Sequence, residues 1–162
     1  MMLLVMLLTT MTAWGETECP WAGSGTEDDP YLIETMSDFR EMKLQSQTND
    51  FEGVYFRLID DIVYDDKQDN NYYPPIASEK VEFQGVFDGY GHAIRGIRIN
   101  RKLVEGSVVA ENYELGIFGS IGKNGVVKNL IVKNTKIHAY AQSGIIANYC
   151  AGTIENCLPL QC

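Results

Sequence analysis

The sequence predicts an all-β parallel solenoid closed at its N-terminal end by a short helix. Three observations predict it: Gly-led apolar runs that recur along the chain, a second motif following each run, and a change of apolar parity inside that second motif. The runs are Gly85-Val86-Phe87-Asp88-Gly89, Gly116-Ile117-Phe118-Gly119-Ser120 and Gly144-Ile145-Ile146-Ala147-Asn148. The second motifs are Ile94-Arg95-Gly96-Ile97-Arg98-Ile99, Val127-Lys128-Asn129-Leu130-Ile131-Val132 and Ile154-Glu155-Asn156-Cys157-Leu158, a repeat of 33 and then 27 residues. In the second motif apolar residues fall at Val127, then at Leu130 and Val132, and likewise at Ile94, then at Ile97 and Ile99. A flat strand keeps one parity, so the chain must bend at the middle. Gly96, Asn129 and Asn156 sit at that bend, and Gly and Asn are the residues that most readily take positive φ. Short strands meeting at left-handed corners, repeated along the chain, describe coils of a solenoid. The three are expected to be equivalent structural corners, with Asn129 and Asn156 stacked and joined through their amides.

The elements follow in order. Met1 to Met11 is an apolar run shorter than the ~20 residues that span a bilayer, so no membrane span is predicted, and Ala13-Trp14-Gly15 precedes the polar Glu16. Residues 1–15 read as a secretory signal peptide, although no Lys or Arg precedes the run. Residues 16–50 read as an N-terminal strand and helix cap. Asp29-Pro30 turns the chain into a short strand at Tyr31-Leu32-Ile33, and Thr35-Met36-Ser37-Asp38 has a capping pattern followed by Phe39 and Met42 at helical spacing up to Ser46. The helix covers the open first coil, whose apolar interior and free strand edges need a lid. Residues 51–162 read as the coils. Tyr55 to Ile62 is the earliest, with Asp60 and Asp61 at its corner; Tyr64 to Pro75 and Arg101 to Glu114 are surface loops, the second accounting for the longer first repeat.

Composition sets the class. The 162 residues carry 45% hydrophobic and 22% charged side chains, enough for a core, and 13 Lys plus Arg against 22 Asp plus Glu give a formal charge of −9. That acidity argues against nucleic acid as a partner, because phosphate binding needs a basic face. Residues 1–81 hold 16 acids and 5 bases, residues 82–162 hold 6 and 8, so the acidity lies in the front half. Export would permit disulfides among Cys19, Cys150, Cys157 and Cys162, while Cys150 and Cys157 fit buried thiols equally well. There is no C-x-x-C, and His92 and His138 stand apart from the cysteines, so no zinc site is expected.

The candidate ligand surface is the loop bearing Tyr64, Asp65, Asp66, Asp69, Tyr72 and Tyr73. Its tyrosines can stack on sugar rings or pack beneath the loop; its acids can ligate Ca²⁺ or stay solvated, and their spacing is not that of an EF-hand. Arg95, Arg98, Arg101 and Lys102 suggest a stripe for acidic sugars, but Arg95 and Arg98 flank a corner and diverge. No catalytic, cofactor-binding or metal-binding residue is assigned.

Gly23 to Ile33, Tyr55 to Ile62, Phe83-Gln84-Gly85-Val86-Phe87-Asp88-Gly89-Tyr90-Gly91-His92-Ala93-Ile94 and Gly116 to Leu130 together resemble the GLUG-repeat family of bacterial surface and secreted proteins, found also in N-terminal regions of immunoglobulin A-cleaving metallopeptidases. The resemblance implies a right-handed parallel β-helix, a handedness general to parallel crossovers. It also implies an exported spacer or adhesion module without catalysis or cofactor, with cell-surface glycans or host proteins as partners. The zinc motif of the peptidase relatives is absent, since no H-E-x-x-H occurs. The alternative is a carbohydrate-active β-helix, either a polysaccharide lyase or glycoside hydrolase or a sugar-binding module. Ile154, Cys157 and Leu158 are expected in the core of a last coil that nothing after them covers, which points to further coils or a partner at that end.

Overall fold

Strands of two to four residues, joined at several corners by single left-handed residues, wind the wall of a parallel β-helix. The computed structural model describes residues 19–64, 75–100, 115–138 and 144–160, and the predicted signal peptide lies outside them. The first coil begins with β1 (Tyr31–Ile33) and leads into α1 (Met36–Gln45). The second holds β2 (Tyr55–Leu58) and β3 (Ile62–Val63), and the third β4 (Val86–Asp88), β5 (Ala93–Arg95) and β6 (Arg98–Asn100). The fourth has β7 (Phe118–Ile121), β8 (Val126–Lys128), β9 (Ile131–Lys133) and β10 (Lys136–His138). The last has β11 (Ala147–Cys150), β12 (Thr153–Glu155) and β13 (Leu158–Leu160). Among the described residues, one sheet runs β1-β2-β4-β8-β12 and a second β3-β5-β9-β13, while β6 pairs with β10 and β7 with β11, every pairing being parallel.

Parallel stacking in register turns each strand position into a column through the coils. Phe56, Phe87 and Val127 form one inward column and are at most 1% exposed; Ile62, Ile94 and Val132 form another. Edge-to-face aromatic contacts fill the interior between them: Phe87 meets Phe118 at 5.5 Å and 72°, and Phe51 meets Phe56 at 4.9 Å and 81°. At the N-terminal end Trp21 packs on Phe56 at 5.3 Å and donates its indole N–H to the Asp38 carbonyl at 3.1 Å. The helix carries the predicted capping box. Thr35 is its N-cap, the Asp38 amide donates to the Thr35 hydroxyl at 3.2 Å, and the Thr35 amide donates to the Asp38 carboxylate at 2.8 Å. Phe39 and Met42 enter the core, and the Ala77 amide donates to Ser46 Oγ at the helix C-terminus at 2.9 Å.

The corners need one correction to the sequence reading. Asn129 (φ 53°) and Asn156 (φ 49°) share a corner between the two large sheets, whereas Gly96 (φ 83°) lies one corner further on. Ile94 pairs with Val132, and Arg98 pairs with Lys136, which sets Gly96 against Asn134 (φ 54°). The fourth coil has two successive left-handed corners, at Asn129 and Asn134, and the third reaches Gly96 only after a longer turn over residues 89–92, so a polar residue followed by a left-handed one does not say which corner is which. The Thr135 that follows Asn134 points inward as a polar residue, 5% exposed, and hides the second corner from an apolar count. The register of the runs shifts with it. Gly85-Val86-Phe87 stacks on Gly125-Val126-Val127 and then on Gly152-Thr153-Ile154, while Phe118 of the second run pairs with Ile76 and Ala147 on another face. Forty residues separate Val86 from its partner Val126, against 27 from Val126 to Thr153.

Side-chain amides join the stacked corners. Asn156 Nδ2 donates to Asn129 Oδ1 at 2.6 Å, Asn129 Nδ2 donates to Asp88 Oδ1 at 2.9 Å, and the same Asp88 oxygen accepts the Tyr90 amide at 2.9 Å. Asn129→Val is expected to cost about 1–2 kcal/mol, since a β-branched residue resists positive φ. Asn129→Gly, which relieves φ but removes both amide contacts, separates the two causes by denaturant titration. An unchanged midpoint in the valine variant would contradict the corner assignment.

Candidate interaction surface

The predicted ligand loop is placed only at its start. Tyr64 follows β3 directly and is 4% exposed, its amide donating to the Arg95 carbonyl at 2.8 Å and its ring lying 5.4 Å from Lys43 Nζ of α1. A tyrosine held between the helix and the next coil cannot stack on a sugar, so Tyr64 leaves the candidate surface. Helix placement decided this, because α1 folds back over the residue that follows β3. Asp65, Asp66, Asp69, Tyr72 and Tyr73 lie outside the described residues.

Asp61 is a coil-to-coil tie. Its carboxylate accepts the Ala93 amide at 2.8 Å, pairs with the Arg95 guanidinium, and lies 3.7 Å from His92 Nδ1. All three residues belong to the coil stacked above Asp61, so the corner carboxylate fastens two coils. Arg95 and Arg98 flank Gly96, as the sequence indicated. Among the described residues no group of three or more His, Cys, Asp or Glu side chains is arranged to hold a metal.

Two surfaces remain. A shallow groove of about 690 Å³ is lined by Thr48, Asn49, Asp50, Glu79, Lys80, Val81, Glu82 and Gln84. Several of its polar atoms serve the scaffold: Glu82 accepts from Ser120 Oγ at 3.1 Å, and Gln84 Oε1 accepts the Asn124 amide at 2.9 Å. The second surface is the C-terminal edge. There Ile154 is 39% exposed where its counterpart one coil earlier, Val127, is 0% exposed, while Leu158 and Leu160 stack on the half-buried Ile131 and Lys133. Glu155 and Thr153 direct their backbone groups at β8, which leaves the N–H and C=O of Ile154 facing outward. In β13 the outward position is Pro159, which has no N–H to offer.

The three described cysteines, Cys19, Cys150 and Cys157, are free thiols. Burial pushes the Cys157 thiol above its ordinary value, the Glu155 carboxylate adds to this, and hydrogen bonds with the Leu130 and Glu155 backbone oppose it. The folded state holds this proton more tightly than the unfolded one, so Cys157 removes stability as pH rises above the ordinary thiol value. Wild type is expected to lose more stability than Cys157→Ala between about pH 8 and 10. Parallel pH profiles would contradict this.

No family model matches the chain. A segment of 141 residues is 30% identical to halomucin of Haloquadratum walsbyi, covering 84% of this chain and 1% of that protein. A segment of 140 residues is 34% identical to a protein provisionally named a Gly-rich membrane protein in Evansella cellulosilytica, covering 83% of this chain and 15% of that one. In structure, the chain is similar to a protein of Bacteroides ovatus provisionally assigned as an immunoglobulin A1 protease, with a TM-score of 0.53 and 21% identity over 86% of this chain and 40% of the other. The chain is therefore a parallel β-helix that spans 1% and 15% of the length of the curated relatives it matches.

Proposed function

We propose that the chain is an exported, non-catalytic module that serves as a spacer or adhesive unit at a cell surface, with glycans or host proteins as its partners. The observation that carries this reading is that about 140 residues of this chain match small parts of a halomucin and of a protein named for the membrane. A coil stack suits such use, because each added coil lengthens the rod by about 4.8 Å without changing its wall. The outward polar side chains support it: Asp61, Asp88, Asn129 and Asn156 are engaged in holding coils together. Among the described residues no helix is long and apolar enough to cross a membrane. Incubation of the purified protein with acidic and neutral polysaccharides is expected to yield no new reducing ends and no unsaturated products. Either product would move the protein to the carbohydrate-active β-helix enzymes.

A further inference from the structure

The outward column of the large sheet alternates in charge from coil to coil. Arg57 of β2 pairs in register with Asp88 of β4, Asp88 with Lys128 of β8, and Lys128 with Glu155 of β12. Neighbouring strands lie about 4.8 Å apart, so each charged position stands beside one of opposite sign in the ladder, with the Arg57 guanidinium itself lying over the Tyr90 ring, 4.9 Å from its centroid. Beside it runs a hydrogen-bonded column in which the Asn156 amide donates to Asn129 and the Asn129 amide to the Asp88 carboxylate. Inside runs the apolar column Phe56, Phe87, Val127 and Ile154. All three columns reach the C-terminal edge, where the exposed Glu155, the exposed Asn156 and the half-covered Ile154 have a coil on one side only among the described residues.

We infer that this edge is an acceptor for one further parallel coil-like segment whose register is read by charge: an apolar residue over Ile154, a basic residue over Glu155, an Asn over Asn156 and an apolar residue over Leu158. The outward N–H and C=O of Ile154 supply the backbone anchor on β12. Pro159 withholds a donor on β13, so the incoming segment is held chiefly by the first strand and the corner. The occupant is thus a coil of a repeat polypeptide rather than an arbitrary β-strand, because a hydrophobic strand without the basic residue and the Asn leaves both polar columns unanswered. The acceptor role does not rest on the absence of catalysis, and its failure would leave the polysaccharide result untouched.

The chain's own residues 126–138 have this pattern, with Val127, Lys128, Asn129 and Ile131 at the four positions. A fluorescent peptide of that sequence with a solubilising tail is the probe, and anisotropy against the whole protein is the readout. Saturable binding is expected, weakened about fivefold when the peptide carries Glu in place of Lys128. In Glu155→Lys protein the preference is expected to reverse, with the Glu peptide binding more tightly. Glu155 is exposed, so the variant should fold, and its melting curve checks this. Absence of saturable binding to wild type, equal binding of both peptides, or a preference that Glu155→Lys leaves unreversed would overturn the inference. A tail-to-tail dimer in sedimentation that the peptide does not displace would overturn it too, by making a second copy the occupant.

Discussion

Phe87→Ala is expected to destabilise the protein by about 4 kcal/mol, among the larger effects of any single truncation in this core. Phe87 is fully buried, stacked in register between Phe56 and Val127, and its ring meets Phe118 from the opposite wall at 5.5 Å. The loss combines the transfer energy of the ring with a cavity that cannot close. The backbones on either side are held by ladder hydrogen bonds, so neighbouring coils cannot move in to fill it. Domains of this size have only about 5–15 kcal/mol in total, so a large share of the stability would go. In a solenoid that loss falls on the interface between the third coil and both its neighbours. Urea titration of wild type, Phe87→Leu and Phe87→Ala is the measurement. The leucine variant should fall between the other two, and a cost below about 1 kcal/mol for alanine would contradict the inward column.

Gly125→Val is expected to cost about 3 kcal/mol, by overpacking rather than by a cavity. A Cβ placed on Gly125 would lie 2.2 Å from the Phe83 carbonyl oxygen, a backbone atom of the coil beneath it. Register places Gly85, Gly125 and Gly152 in one column. The Gly152 Cβ would likewise lie 2.2 Å from the Gly125 carbonyl, and that of Gly85 2.7 Å from the carbonyls of Phe51 and Val54. Each coil therefore passes the one below it, backbone against backbone, at this position. Relief would have to come from spreading two coils apart, which breaks ladder hydrogen bonds on both sides of the corner. Gly125→Ala should show a smaller loss with the same sign. If the valine variant melted with wild type, the close approach of coils at this column would be wrong.

How much of this was legible in the residues differs from one element to the next. The helix over Met36–Gln45 could be read because its signals are local: a T-x-x-D cap and apolar residues three apart. The bend at Asn129 could be read because a strand that keeps its direction also keeps its apolar parity, and here the parity changes within a few residues. Glycines were visible as well, but as leaders of similar runs rather than as members of a column. Gly116 resembles Gly85 in its neighbours, yet Gly125, followed by Val126 and Val127, is what stacks on it. One signal was available: the spacing from Gly125 to Gly152 equals the shorter repeat of 27 residues. The apparent 33-residue repeat came from matching Gly96 to Asn129 across two different corners.

Tyr64 shows the limit most plainly. In the sequence it opens an acidic, tyrosine-rich stretch, and nothing local separates it from Tyr72 or Tyr73; in the fold it lies under Lys43, 21 positions earlier.

By itself the sequence determined the kind of fold: short strands, left-handed corners, a capped N-terminal helix and an acidic front half. These depend on interactions within a few residues, such as φ preference at Asn and Gly, strand parity and helix capping, and they hold whatever the coils do. Only the tertiary structure decided the register. Which corner stacks on which, the charge alternation from Arg57 to Glu155 and the glycine column from Gly85 to Gly152 all arise between residues some 27 to 40 positions apart. Insertions between coils change that separation while leaving the wall intact, because a loop leaves and returns at a corner without disturbing the ladder. Sequence distance therefore does not measure register, and the edge that register exposes at Ile154, Glu155 and Asn156 follows from the stacked coils together.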